Sequence, residues 1–178
     1  MILGTELSGT TVFFNGVAAP ILYTSARQVT AITPYSITGG TVQVAVAYLR
    51  QATPVFTIPL APTAPGLFTL NQTGAGQLAG INAIDGEPNT PANPVRIGEY
   101  ISPYTTGEGQ TIPAGVYGRL GGPSATTPVL PLSVTLGGLP ATVQYAGSSP
   151  GQVAGLMQST CKFPPGCRRE DMCLYCRR

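Results

Sequence analysis

One stretch of this sequence occurs twice. T-V-F-F-N-G-V-A-A-P-I-L-Y at Thr11 to Tyr23 returns as S-V-T-L-G-G-L-P-A-T-V-Q-Y at Ser133 to Tyr145. At a constant offset and without a gap, Val12, Gly16, Ala19 and Tyr23 recur as Val134, Gly138, Ala141 and Tyr145, while Phe14, Val17 and Ile21 recur as Leu136, Leu139 and Val143. Asn15-Gly16 in one copy and Gly137-Gly138 in the other can take the positive φ that a tight hairpin needs, and apolar residues flank both. Each copy therefore reads as two short strands across a turn. A one-residue slip would turn either apolar set to solvent, so the two registers are expected to be equivalent, with Tyr23 and Tyr145 largely buried.

The remaining sequence fits the same class. The chain has 178 residues with 23 Gly, 18 Pro and only 9% charged residues, which suits many short strands joined by turns. Apolar residues at helical spacing are soon interrupted by Gly or Pro. No run of 18 apolar residues occurs, so no membrane-spanning helix is expected. Gln28 to Pro34 reads as a strand ended by proline. Thr41-Val-Gln-Val-Ala-Val-Ala-Tyr48 alternates, with Val42, Val44, Val46 and Tyr48 on one core-facing side. Pro54 to Pro59 reads as an edge strand, since proline cannot donate to a ladder. Ala61 to Gly66 is the candidate linker.

Charge excludes some partners. Lys162, Arg168, Arg169, Arg177 and Arg178 against Glu170 and Asp171 give the last twenty residues +3 of the net +2, which leaves −1 for residues 1–160. A near-neutral body has no basic stripe for nucleic acid and no polybasic patch for a membrane surface. Met1 to Glu6 lacks the basic and apolar regions of a signal peptide.

Catalytic chemistry finds little support. There is no histidine and no G-x-S-x-G, so a Ser-His-Asp or Cys-His site is excluded. Asp85, Glu87, Glu99 and Glu108 are the carboxylates that a glycosidase-like pair or a calcium site could draw on, and turn chemistry explains the Asp85-Gly-Glu87 stretch without either. Gly74-Ala-Gly-Gln-Leu-Ala79 matches the letters of a dinucleotide-binding motif, but a strand and turn follow where that motif needs a helix. No cofactor is expected. Tyr23, Tyr35, Tyr100, Tyr104 and Tyr145 could form a sugar-binding platform if exposed; the alternative is that they cap the cores, with their hydroxyls bonded to loop backbone.

Several motifs in order resemble one family. V-F-F-N-G-V-A-A-P-I-L-Y with Gln28 and Pro34, A-P-G-L-F-T at Ala64 to Thr69, I-G-E-Y-I-S-P-Y-T-T-G-E-G-Q at Ile97 to Gln110, and V-T-L-G-G-L-P-A-T-V-Q-Y-A-G at Val134 to Gly147 are similar to the uncharacterised Solibacter-type C-terminal domain of large secreted acidobacterial proteins. The resemblance covers roughly residues 6–158. It implies an extracellular or cell-surface, immunoglobulin-like β-sandwich module whose partners are other domains of a larger parent protein, with no established activity or catalytic residues to carry over. The expected organisation is all-β: residues 1–63 as a first sandwich module lacking its opening strand, 64–158 as a second module, and 159–178 as a disordered tail. Modules short of strands should expose unpaired edges and associate. The leading function is a structural or adhesion-type module. Polysaccharide binding comes second and a glycan-acting enzyme a distant third.

The tail is the anomaly. All four cysteines, Cys161, Cys167, Cys173 and Cys176, fall within it, and only Cys173-x-x-Cys176 has zinc-hook spacing, so neither zinc nor disulfides are expected. The family resemblance stops at Gln158. One possible encoding of the tail, read in another frame, gives V-N-V-Q-V-P, which alternates like a strand and restores the Gln-to-Pro separation of Gln28 and Pro34. Residues 159–178 are therefore expected to be a frameshift product that packs poorly.

Overall fold

The computed structural model describes residues 9–121 and 125–167, together with the backbone of Tyr175 and Cys176. Its regular elements are all strands: β1 (Thr10–Phe14), β2 (Val17–Ala19), β3 (Ile21–Thr24), β4 (Val29–Ala31), β5 (Thr41–Tyr48), β6 (Gln51–Ala52), β7 (Phe56–Pro59), β8 (Gly66–Leu67), β9 (Gly76–Gln77), β10 (Gly80–Asn82), β11 (Tyr100–Thr106), β12 (Thr111–Ile112), β13 (Thr127–Pro128), β14 (Val134–Leu136), β15 (Leu139–Ser148), β16 (Met157–Lys162) and β17 (Tyr175–Cys176). The protein is all-β. No helix among the described residues is long and apolar enough to cross a membrane.

The first sheet sets β1 between β2 and β5, and β6 and β7 share the other edge of β5. Its inner face presents Val12, Phe14 and Val42 to Ile37 and to the small β3-β4 sheet, which contributes Ile21, Val29 and Ala31. The alternation of β5 is as expected at Val42, which is buried, but Tyr48 at the strand's end is exposed. The second sheet runs β10-β11-β16-β15-β14, with β8 also paired to β11. Its core gathers Val95, Ile101, Leu136, Cys161, Phe163 and Cys167, with Val134, Ala141 and Val143 packed against it. Among the described residues no strand up to β7 pairs with a later one.

The two copies of the repeated stretch take the same geometry. Val12, Phe13 and Phe14 face Ala19, Ala18 and Val17, while Val134, Thr135 and Leu136 face Ala141, Pro140 and Leu139. Both turns place two residues at positive φ, Asn15 and Gly16 in one, Gly137 and Gly138 in the other. Beyond the hairpin each chain bulges once, between Ile21 and Tyr23 and between Val143 and Tyr145. The copies differ where Pro20 stands against Thr142. Proline has no N–H for the ladder, and there the first copy breaks into β2 and β3 whereas β15 runs through.

The expectation of a poorly packed tail does not hold for residues 159–167. β16 extends to Lys162 between β11 and β15, with Met157, Ser159 and Cys161 facing inward, and Phe163 follows with no exposed surface. Two of the inward positions, Ser159 and Cys161, lack the large apolar side chains that mark a strand face. In a tight interior they are small fillers, and cysteine is among the most buried residue types. The true period-two pattern is M-x-S-x-C-x-F.

The in-frame chain also carries the match that the alternative frame was meant to restore. Val29, Thr30 and Ala31 face Thr24, Tyr23 and Ile21, while Ser159, Thr160 and Cys161 face Ala146, Tyr145 and Val143. Gln28, Thr30 and Pro34 thus correspond to Gln158, Thr160 and Pro164, and both prolines are buried. At the same spacing Ile37 corresponds to Cys167, each buried in its own core. The rest of the expected tail, including Cys173 and the side chain of Cys176, lies outside the described residues.

Truncating Phe163 to Ala should cost about 3–5 kcal/mol in urea unfolding, as for other buried aromatics. A loss below about 1 kcal/mol, within the range of ordinary surface substitutions, would place this segment outside the core.

Candidate functional site

Glu108 is the one carboxylate among the described residues that lies buried, with 4% of its surface exposed. Its loop leaves β11 between two glycines, Gly107 and Gly109, both at positive φ, where a Cβ would collide with the carbonyls of Ala64 and Pro62. Only glycine satisfies both the backbone angle and that close approach. The Tyr35 hydroxyl, from the loop between β4 and β5, donates to Glu108 Oε1 at 2.8 Å. Gln110 Nε2 donates to the Tyr35 carbonyl at 2.6 Å, and the backbone N–H of Gly155 faces the Tyr35 hydroxyl. One tyrosine thereby ties the first sheet's loop to two loops of the second.

Burial sets the electrostatics of this junction. It pushes the Glu108 carboxyl above its ordinary range, with the Tyr35 bond pulling the other way. Tyr35 is pushed up, first by burial and then by the bond to and charge of Glu108. Glu108 Oε2 has no hydrogen-bond partner among the described residues. The carboxylate lines a cavity of about 40 Å³ with Thr63, Pro65, Pro128, Leu132 and Met157. That volume admits water but falls far short of the roughly 300 Å³ at which small-molecule sites begin.

Of the other candidate carboxylates, Asp85 and Glu99 serve loops, and Glu87 lies exposed. Asp85 accepts from the Glu87 N–H at 2.9 Å and from Asn93 Nδ2 at 2.9 Å, and these bonds lower its pKa at the surface. Glu99 accepts from the Arg96 N–H at 3.1 Å. The glycine-rich stretch becomes β9 and β10, with no helix after it to receive a pyrophosphate.

The five tyrosines separate into three settings. Tyr23 is 47% exposed on the small β3-β4 sheet, contrary to the expectation that it is buried. Its register explains this: Ile21 faces the core and the bulge leaves Tyr23 on the outer side. Tyr35 is in the junction. Tyr100, Tyr104 and Tyr145 pair with Lys162, Gln158 and Thr160, which alternate along β16 and so share one face. That face is opposite Ile101 and Cys161, so these tyrosines do not cap the core. The Lys162 ammonium lies 5.9 Å from the centre of the Tyr100 ring. Tyr145 is half-buried, with its hydroxyl donating to the Ser148 carbonyl at 2.6 Å and its ring across Gly147. The convergence of three of the five is not legible locally, because most of β16, the strand that brings them together, falls in the expected tail.

The Glu108 proton should appear in stability. A carboxyl whose pKa is raised on folding contributes stability that is fully present below the ordinary carboxyl pKa and lost as pH rises through the raised one. The urea midpoint should therefore fall across that interval in the wild type, and Glu108→Gln should lack this component. Tyr35→Phe should cost about 1–3 kcal/mol at neutral pH, because the buried carboxylate loses its donor.

Comparison of the chain with protein families, curated proteins and solved structures gives no match.

Proposed function

We propose that this chain is a non-catalytic, structural or adhesion-type β-module, the C-terminal part of a larger secreted or cell-surface bacterial protein whose other domains are its partners. The observation that carries this reading is the use made of its carboxylates. Glu108 holds two sheets together, Asp85 and Glu99 close loops, and each is bonded to a group a substrate would have to displace. The resemblance to the Solibacter-type domain supports the setting, and the hairpin and bulge that recur with one register support a duplicated, immunoglobulin-like unit.

One observation favours a second reading, a module that binds cell-wall or plant polysaccharide. Tyr100, Tyr104 and Tyr145 share a sheet face with Gln158 and Lys162, where rings could stack on sugars and the polar groups could bond hydroxyls. Sedimentation with insoluble cellulose, chitin, xylan and peptidoglycan separates the two. The structural reading expects the chain in the supernatant throughout. The binding reading expects retention on one polymer and loss of it in Tyr104→Ala. Hydrolysis of any of these polymers by the wild type, abolished in Glu108→Gln, would overturn both.

A further inference from the structure

The first sheet carries its core face onto an edge that no strand among the described residues covers. β7 pairs only with β5, in the register Val42 with Ile58 and Val44 with Phe56, so Phe56 and Ile58 lie on the face that buries Val42. The two short strands β3 and β4 are too small a second layer to reach them, and they remain 59% and 43% exposed.

The backbone of this edge has a defined parity. The Leu60 N–H donates to the Gly40 carbonyl at 3.0 Å, which makes Gly40 and Leu60 a hydrogen-bonded pair of the β5-β7 ladder. Such pairs alternate in antiparallel sheets, so Phe56 and Ile58 bond back to β5, while Val55, Thr57 and Pro59 direct their N–H and C=O groups outward. Proline here costs the internal ladder nothing, since its missing N–H would have pointed away.

We propose that two copies of this chain associate by antiparallel pairing of β7 with β7 about a two-fold axis at Thr57. A two-fold contact requires a patch that is its own complement. Crossing at Thr57 sets Thr57 opposite Thr57, Val55 opposite Pro59 and Phe56 opposite Ile58. The Thr57 amides and carbonyls exchange two hydrogen bonds, and each Val55 N–H reaches the Pro59 carbonyl of the second copy, so the absent proline donor is not needed. Phe56 and Ile58 of both copies then form one apolar cluster that continues the inner face of each sheet. Charge points to a copy as the occupant: residues 51–66 carry no charged side chain, and an edge without the lysine that usually blocks pairing neither repels its own copy nor selects a charged partner.

Sedimentation equilibrium of the full chain tests this, extended to about 100 µM because so small an interface is expected to be weak. The wild type should shift from monomer to dimer with concentration. Thr57→Pro removes an outward N–H while leaving the β5 ladder intact, and Ile58→Lys places a charge in the apolar cluster; both should remain monomeric. If either variant fails to fold, amide exchange of the wild type decides. Thr57 protection should rise at least tenfold from dilute to concentrated protein, while Ile58, bonded to β5, stays constant. A wild type monomeric throughout, a dimer that persists in both variants, or a Thr57 amide indifferent to concentration would overturn the proposal.

Discussion

The second half of the molecule depends on a single ladder. β16 is bonded to β11 on one side and β15 on the other, and those strands carry every other member of the sheet. Without it the sheet divides into β8-β10-β11 and the β14-β15 hairpin, neither with a closed apolar face. An isolated hairpin is marginal in water, and a twisted sheet needs its central strand to present one continuous surface. Cys161, with Phe163 beyond it, joins Ile101 of β11 to Leu136 and Val143 of the hairpin in one core, and Met157 and Ser159 are buried on the same side of β16.

The same ladder organises the outer face. Lys162, Thr160 and Gln158 set the spacing at which Tyr100, Tyr145 and Tyr104 stand, so core and candidate binding face are two sides of one strand. The junction follows from the sheet as well. Glu108 leaves the end of β11 and Gly155 precedes β16, and both meet Tyr35 from the first sheet's loop. A buried carboxyl is a costly way to join two bodies, because burial opposes its charge. Here one oxygen is satisfied by Tyr35, while the other is buried without a hydrogen-bond partner among the described residues.

What the sequence made legible was the local pattern. The hairpins were readable because Asn15-Gly16 and Gly137-Gly138 encode their turns through positive φ and flanking apolar residues fix the register. The absence of helix among the described residues followed from glycine and proline spacing, and Pro54 to Pro59 announced an edge. The failures were failures of context. Ser159 and Cys161 lie past the point where the family resemblance stops and so read as tail, although serine and cysteine are apt fillers where two layers approach closely. The buried faces of Pro34 and Pro164 and the correspondence of Ile37 with Cys167 emerge only when the ladders are aligned. Nothing local in Tyr35 or Glu108 signals a contact between residues so far apart in sequence. Tyr23 and Tyr145 hold equivalent registers on the outer side of their bulges, yet Tyr23 is exposed whereas Tyr145 folds its ring across Gly147 and bonds the Ser148 carbonyl.

The most direct measurement is native-state amide hydrogen exchange resolved along β11 and β16. If β16 is the central strand, its ladder amides from Ser159 to Lys162 should exchange only through global unfolding, with the same free energy as those of Ile101 and Tyr104 in β11. Exchange of the β16 amides at the rates of an unstructured chain, while β11 stays protected, would contradict a core built on this segment.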